Sequence, residues 1–198
     1  MLSPEFGRKL VHLVALLIPI LYYFLPRYLS ITLLLIATAI FLGIDFLRLR
    51  INSIKAIFII IFGSLLRRRE FHSLTGGSYL MLASSVAIFL FEDRGIFMAA
   101  IAFLAVGDTV AALFGLTHGR TKIFGKKTLE GTIACLFACL LVAYILTKLP
   151  NLSFLLPVGL LGALAATIVE ALPIEVNDNV VIPIFSGIVM QISKIMIR

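Results

Sequence analysis

Charge is what this sequence has least of. Only 14% of its 198 residues are Asp, Glu, Lys or Arg, 61% are apolar, and mean hydropathy is +1.13. A soluble domain carries about 25% charged and about 45–50% apolar residues, so this chain has too little polar surface to cover a core. A water-soluble fold is excluded. Cysteine is nearly absent as well. Cys135 and Cys139 share one apolar run with no His beside them. Adjacent turns of one helix cannot usefully staple a fold, and no metal-ligand spacing exists, so both a disulfide framework and a zinc site are excluded. Two small packing residues remain as the reading. Met1 to Gly7 lacks the basic start of a cleavable leader, and no small-residue cleavage site follows the first apolar run. With no sequence repeat and no long linker, residues 1–198 are expected to form one domain.

What the chain does contain is apolar runs long enough to cross a hydrocarbon layer: Leu10–Leu25, Leu29–Leu47, Ser78–Phe91, Gly95–Leu116, Leu129–Leu149, Phe154–Leu172 and Val180–Met196. The expected fold is all-α, a polytopic integral membrane protein of about seven transmembrane helices. An eighth run, Ala56–Leu66, covers only about 16 Å as a helix and is expected to lie at the interface or re-enter. Seven crossings with the N-terminus in the cytoplasm leave five basic residues outside (Arg27, Arg94, Lys148, Lys194 and Arg198) and the other 12 of 17 inside. That satisfies the positive-inside rule, whereas letting Ala56–Leu66 cross removes the bias. Acids segregate too: only Glu92 and Asp93 of the ten fall outside. A proton path would need acids through to the far side, so transport is disfavoured. The surplus of +7 reads as topology and anionic ligands, with no call for nucleic acid.

Three polar clusters remain on the inner side. The first runs Gly107-Asp108-Thr109, then Ala111-Ala112, Gly115, Gly119-Arg120-Thr121-Lys122, and Gly125-Lys126-Lys127-Thr128-Leu129-Glu130-Gly131. An ionised Asp108 inside an apolar span costs at least about 2.5–3.5 kcal/mol, and intramembrane acids of this kind mark function. Thr128 is placed to cap the next helix, whose N-terminus, preceded by lysines and glycines, suits an anion. A carboxylate beside phosphate suits Mg2+. The plainer alternative is that Gly115 and Gly119 pack helices and the lysines only set orientation. The second cluster is Glu5, Arg8, Lys9 and His12, which share one arc of a helix entering the membrane; Arg8 and Lys9 could equally snorkel. The third is Glu170 with Asn177-Asp178-Asn179, where Asp178 and Asn179 offer oxygens of the kind metal or ribose contacts need. Asn177 reads as a turn residue or helix cap. Asp45 and Arg48, three apart, read as an interfacial pair.

Together these pieces resemble the CTP-dependent lipid-alcohol kinases: dolichol kinase, phytol kinase and CTP-dependent diacylglycerol kinase. The matching residues are Glu5-x-x-Arg8-Lys9-x-x-His12, Thr75-Gly76-Gly77, Gly107-Asp108-Thr109 through Gly115 and Gly119, Lys126-Lys127-Thr128-x-Glu130-Gly131, and Glu170 with Asp178-Asn179 and Pro183. The resemblance implies CTP as phosphoryl donor, a divalent cation such as Mg2+, and a membrane lipid alcohol as acceptor, at a site facing the cytoplasm. In that frame Asp108, helped by Glu130 or Asp178, holds the metal. Lys122, Lys126, Lys127, Thr128, Asn179 and the Gly115, Gly119 and Gly131 loop hold the nucleotide. Arg8 and Lys9 neutralise the transferring group, and His12 or Asp178 takes the hydroxyl proton. The first cluster also resembles phosphatidate cytidylyltransferases. Their C-terminal His-Gly-Gly and Asp-Arg-x-x-Asp signatures are absent from Glu175-Val-Asn-Asp-Asn179, which favours the kinase. A non-enzymatic transporter or scaffold is the third class.

Overall fold

A computed structural model describes residues 4–125, 127–174 and 176–197. The chain is helical apart from one small hairpin. Helices α1 (Pro4–Leu13) and α2 (Leu17–Phe24) are joined by a tight turn of 3-10 helix. Leu25, forced extended by the proline that follows it, stops α2, and α3 (Arg27–Arg50) starts directly after Pro26. The short α4 (Asn52–Phe62) comes next, then α5 (Gly76–Leu90), α6 (Arg94–Ala102), a π-helical stretch Phe103–Asp108, and α7 (Thr109–His118). Strands β1 (Lys122–Phe124) and β2 (Lys127–Thr128) pair antiparallel around Gly125, whose φ of 54° is the left-handed turn conformation that favours glycine. Helices α8 (Leu129–Lys148), α9 (Leu156–Ala171) and α10 (Asp178–Ile197) complete the bundle. Thr75, Asp93 and Thr128 each cap the helix that follows, accepting from Ser78, Ile96 and Gly131 at 3.3, 2.9 and 3.2 Å.

Side-chain contacts fix two polar ends. Lys9 meets Asp108, Lys127 meets Glu170 and Asp178, and Asn179 meets Gly76 at one end. Arg94 meets Tyr22 and Leu25, Arg27 meets Ile88, and Lys194 meets Asp93 at the other. Several helices among the described residues run between these ends. Five of them are long and apolar enough to cross a membrane: Gly7–Phe24, Arg27–Arg50, Arg94–His118, Leu129–Lys148 and Asp178–Ile197. The expected seven crossings are not all matched by length, since α5 and α9 have 15 and 16 residues, about 23–24 Å of helix. The chain is a membrane protein: Ile60, Phe137, Ile195 and Met196 lead a long series of apolar side chains on its outside.

The continuous helix Arg94–His118 forms the axis, with 78% of its most apolar window buried. Its sequence is apolar on every face, which suits a helix surrounded by others. Small residues set the packing distance. A side chain at Gly107 would meet Cys139 Sγ at 2.6 Å and Cys135 Sγ at 3.1 Å, so both cysteines are packing residues against the axis. The π-helical stretch interrupts this helix just before α7 and ends at Asp108; such insertions commonly mark functional sites. Helix α4 does not pass through the bundle. It leaves α3 at the end holding Asp45 and Arg48, none of its residues is buried, and the turn after it packs beside α1.

Candidate active site

Asp108 sits at the junction of α1 and the axial helix, only 6% exposed. Its carboxylate is paired with the Lys9 ammonium, which also donates to the Asp108 carbonyl at 3.3 Å. His12 Nε2 lies 3.7 Å from Asp108 Oδ2. Breaking a buried pair of this kind by removing one partner costs about 3–5 kcal/mol, because the survivor stays charged and unpaired. The stripe of α1 therefore faces the buried acid, and snorkelling does not describe Lys9. Arg8 pairs with Glu5 one turn away.

Lys127, projected from β2, reaches the carboxylate of Glu170 at the end of α9 and lies 3.9 Å from Asp178 Oδ2 at the start of α10. Burial works against the charge of Lys127, but Glu170 first, then Asp178 and Asp108, outweigh it and raise its pKa. The ammonium is thus held throughout the range below the ordinary lysine pKa, and its contribution is lost only as pH rises through the raised value.

These groups enclose a cavity of about 580 Å³ lined by Arg8, Lys9, Arg67 and Lys127 together with Glu5, Asp108, Glu170 and Asp178. Thr132 lines it too, its Oγ1 buried and without a hydrogen-bond partner among the described residues. A second cavity of about 380 Å³ adjoins the first and shares Arg8, Lys9, Arg67 and Asp108, but is otherwise lined mainly by apolar side chains of α1, α3, α4 and α5. His12, its Nε2 also without a hydrogen-bond partner among the described residues, lines this second cavity and not the first. One space is charged, the next is greasy, and Asp108 stands between them.

Other candidate residues take different places. Gly115, Gly119 and Gly131 surround Thr128: side chains on Gly115 and Gly131 would come within 2.9 and 3.0 Å of its Oγ1. They form the close α7–α8 contact, the packing alternative, while Gly115 and Gly131 also floor the charged cavity. Glu130 stands apart, accepting from the Thr121 backbone N–H at 3.1 Å, and it does not line the cavity. The hairpin engages its carboxylate, which sets it apart from Asp108 and Asp178 on the cavity lining. Lys122 is exposed on β1 and also outside the cavity lining. Lys126 lies outside the described residues. The expected anion site at the start of α8 is partly spent, because Leu129 N–H donates to Thr121 O and Gly131 N–H to Thr128. Asn179 donates to Gly76 O at 2.7 Å and joins the apolar cavity rather than the charged one.

Asp45 and Arg48 are not an interfacial pair but a buried hub, each 1% exposed. Asp45 accepts from Arg48, Thr75 and Ser78, while Arg48 donates to the Glu70 and Ser73 carbonyls at 2.8 and 2.7 Å. Glu70 in turn accepts from the Arg67 and Gly76 backbone. This network explains the Thr75-Gly76-Gly77 element: it fixes the start of α5 against the end of α3. Sequence reasoning grouped Glu170 with Asp178 as acids at adjoining helix ends but did not pair it with Lys127, and it gave no role to Thr132.

Among the described residues no three His, Cys, Asp or Glu side chains are grouped to hold a metal by themselves. Mg2+ does not need such a cage, since one or two carboxylates plus substrate phosphates suffice. Asp108 and Asp178 on the charged cavity meet that requirement, and no hydrogen bond from a described residue reaches the Asp178 side chain.

Comparison with known proteins agrees with this chemistry. The profile of the cytidylyltransferase family matches residues 4–174. An uncharacterized protein of Rickettsia prowazekii (strain Madrid E) is 30% identical over 189 residues, 91% of this chain and 90% of its own length. The dolichol kinase EVAN of Arabidopsis thaliana is 33% identical over 124 residues, 57% of this chain but 22% of that kinase. No solved structure matches. With the family profile covering nearly every element that builds the two cavities, the chain belongs to the cytidylyltransferase family.

Proposed function

We propose that this protein is a CTP-dependent kinase that transfers the γ-phosphoryl group of CTP to the hydroxyl of a membrane lipid alcohol. The observation that carries the reading is the pair of adjoining cavities with Asp108 at their boundary. A charged chamber with four cations suits a triphosphate, and an apolar one suits a hydrocarbon chain. Phosphoryl transfer asks mainly for positioning and charge neutralisation, which such a boundary supplies. Lys127, Arg8 and Arg67 would hold phosphate oxygens, with Thr132 Oγ1 free to donate. Lys9 fixes Asp108 and adds positive charge at the point of transfer. Asp108 and Asp178 would hold Mg2+, which when bound neutralises phosphate charge. The positive-inside count supports a cytoplasmic position for this end, where CTP is available.

The resemblance to dolichol kinase favours kinase chemistry. The family's description supports a second reading, a lipid-phosphate cytidylyltransferase, in which the lipid phosphate attacks the α-phosphorus. Purified protein incubated with CTP, Mg2+ and a mixed lipid extract separates them. CDP release is the expected result, pyrophosphate release means cytidylyl transfer, and neither contradicts both.

A further inference from the structure

We propose that the basic face formed by the end of α3, the start of α4 and the turn at Arg68 and Arg69 binds anionic phospholipid headgroups, with α4 seated among their acyl chains. This surface is separate from the reaction. Arg50, Lys55, Arg68 and Arg69 line neither cavity.

The fold gathers these cations from two places in the sequence. Arg50 ends α3, and Lys55 sits in the first turn of α4. Arg68 and Arg69 follow only after α4, yet the chain is brought back to the same helix end, because buried Arg48 donates to the Glu70 and Ser73 carbonyls at 2.8 and 2.7 Å. Arg50, Arg68 and Arg69 are all exposed. The neighbouring acids are already spent. Between residues 46 and 75 the sequence has a single acid, Glu70, and its two carboxylate oxygens accept from the Arg67 and Gly76 backbone at 2.7 and 2.8 Å. Asp45 accepts from Arg48, Thr75 and Ser78. Among the described residues no ion pair involves Arg50, Lys55, Arg68 or Arg69. Setting orientation asks only that cations stay on one side of the bilayer; it does not ask that they be gathered on one helix end. Like charges collected there repel, and an anion from outside the chain offsets the repulsion.

The surroundings of the patch say which anion. The Arg50 guanidinium lies 5.3 Å over the Phe46 ring, which is itself largely exposed on α3. Helix α4 buries none of its residues and leaves Ile57, Ile60 and Ile61 more than half exposed. A soluble phosphate compound would meet the cations and leave this apolar rim uncovered. A phospholipid meets both: its phosphate oxygens take the arginine forks, and its acyl chains cover Phe46 and the isoleucines. A zwitterionic headgroup brings a cation of its own to the patch, so a headgroup with net negative charge is preferred.

The chain contains no tryptophan, so one introduced tryptophan reports its own lipid neighbours. Ile57→Trp puts the reporter on α4, and Phe137→Trp, at an exposed position of α8, is the reference. Each full-length protein is placed in bilayers mixing phosphatidylglycerol with phosphatidylcholine, one or the other brominated, and quenching gives the relative association of the two lipids at that position. At the α4 reporter phosphatidylglycerol should associate about fivefold more strongly, and at the α8 reporter the two should associate equally. Adding Arg50→Gln, Arg68→Gln and Arg69→Gln to Ile57→Trp should abolish the preference. So should about 1 M salt with the patch intact, where the screening length falls to about 3 Å, an arm that does not depend on the folding of the substituted protein. Millimolar glycerol 1-phosphate should leave the preference unchanged. Equal association at the α4 reporter, or a preference that survives the three substitutions or the salt, overturns the site. A matching preference at the α8 reporter means a general surface charge, and loss of the preference to glycerol 1-phosphate means a site for soluble phosphate; either result also overturns it. None of these readouts depends on what CTP becomes.

Discussion

At the end of the bundle that holds Asp93 and Arg94, charged groups close the structure; at the end that holds Asp108 and Lys127, they surround open space. Asp93 caps α6 and pairs with Lys194. Arg94 donates to the Tyr22 and Leu25 carbonyls, both at 2.6 Å, and Arg27 to those of Glu92 and Ile88. Apart from the Lys194–Asp93 ion pair, these contacts engage backbone groups at or next to helix ends, which would otherwise lack partners. At the opposite end four cations and four acids line one chamber, and two buried polar atoms, His12 Nε2 and Thr132 Oγ1, have no hydrogen-bond partner among the described residues. The same residue types thus serve closure at one end and ligand chemistry at the other. What separates the two uses is the open space the charges line, since Gln191 Oε1 near Lys194 is likewise buried without a partner among the described residues.

Substitutions at the two ends should therefore differ in kind. Asp108→Asn should lower turnover by about a thousandfold and weaken the fold by leaving Lys9 buried and unpaired. The double variant Lys9→Met with Asp108→Leu removes both charges together. It should recover most of the thermal stability, because a buried pair is readily replaced by apolar residues, while staying inactive. Recovery of activity with stability would make the pair purely structural and erase the contrast. Next in size is Arg48→Ala, which should cost about 3–5 kcal/mol in detergent-unfolding measurements, by releasing the start of α5 from α3. Lys127→Gln keeps a donor for Glu170 but removes the charge, and should raise KM for CTP by about tenfold, as expected for one charged hydrogen bond, leaving KM for the alcohol unchanged. Asp93→Ala at the closed end should cost about 1 kcal/mol as a lost helix cap, with turnover of the folded protein unaltered. A catalytic defect there would show that both ends serve the reaction.

The helices and the singular position of Asp108 were legible in the sequence because each is a local signal. Apolar runs have length, Pro26 and the capping Thr75, Asp93 and Thr128 mark boundaries, and an acid in an apolar span stands out wherever its partner lies. The closeness of Asp108 to the α1 stripe was readable only as a demand: a buried carboxylate needs a cation, and α1 offered one. Three features escaped. Residues 121–130 read as a flexible phosphate loop, yet pairing of Lys122 with Thr128 makes a hairpin that occupies Glu130 and part of the α8 N-terminus. Asp45 and Arg48 sit near a helix end, where a pair usually meets solvent, and only the return of the chain at Arg68–Ser78 buries them. Glu170 meets Lys127 across 43 positions of sequence, a distance no helical periodicity can report.

The central claim is that the charges around Asp108 move the terminal phosphate of CTP onto a lipid hydroxyl. Its most direct test supplies the purified protein with Mg2+, geranylgeraniol and CTP labelled in the γ-phosphate, in parallel with Asp108→Asn. The expected result is label on the lipid and unlabelled CDP in solution from the native protein, and neither from the variant. Label released as pyrophosphate with cytidine on the lipid, or equal transfer by both proteins, would contradict it.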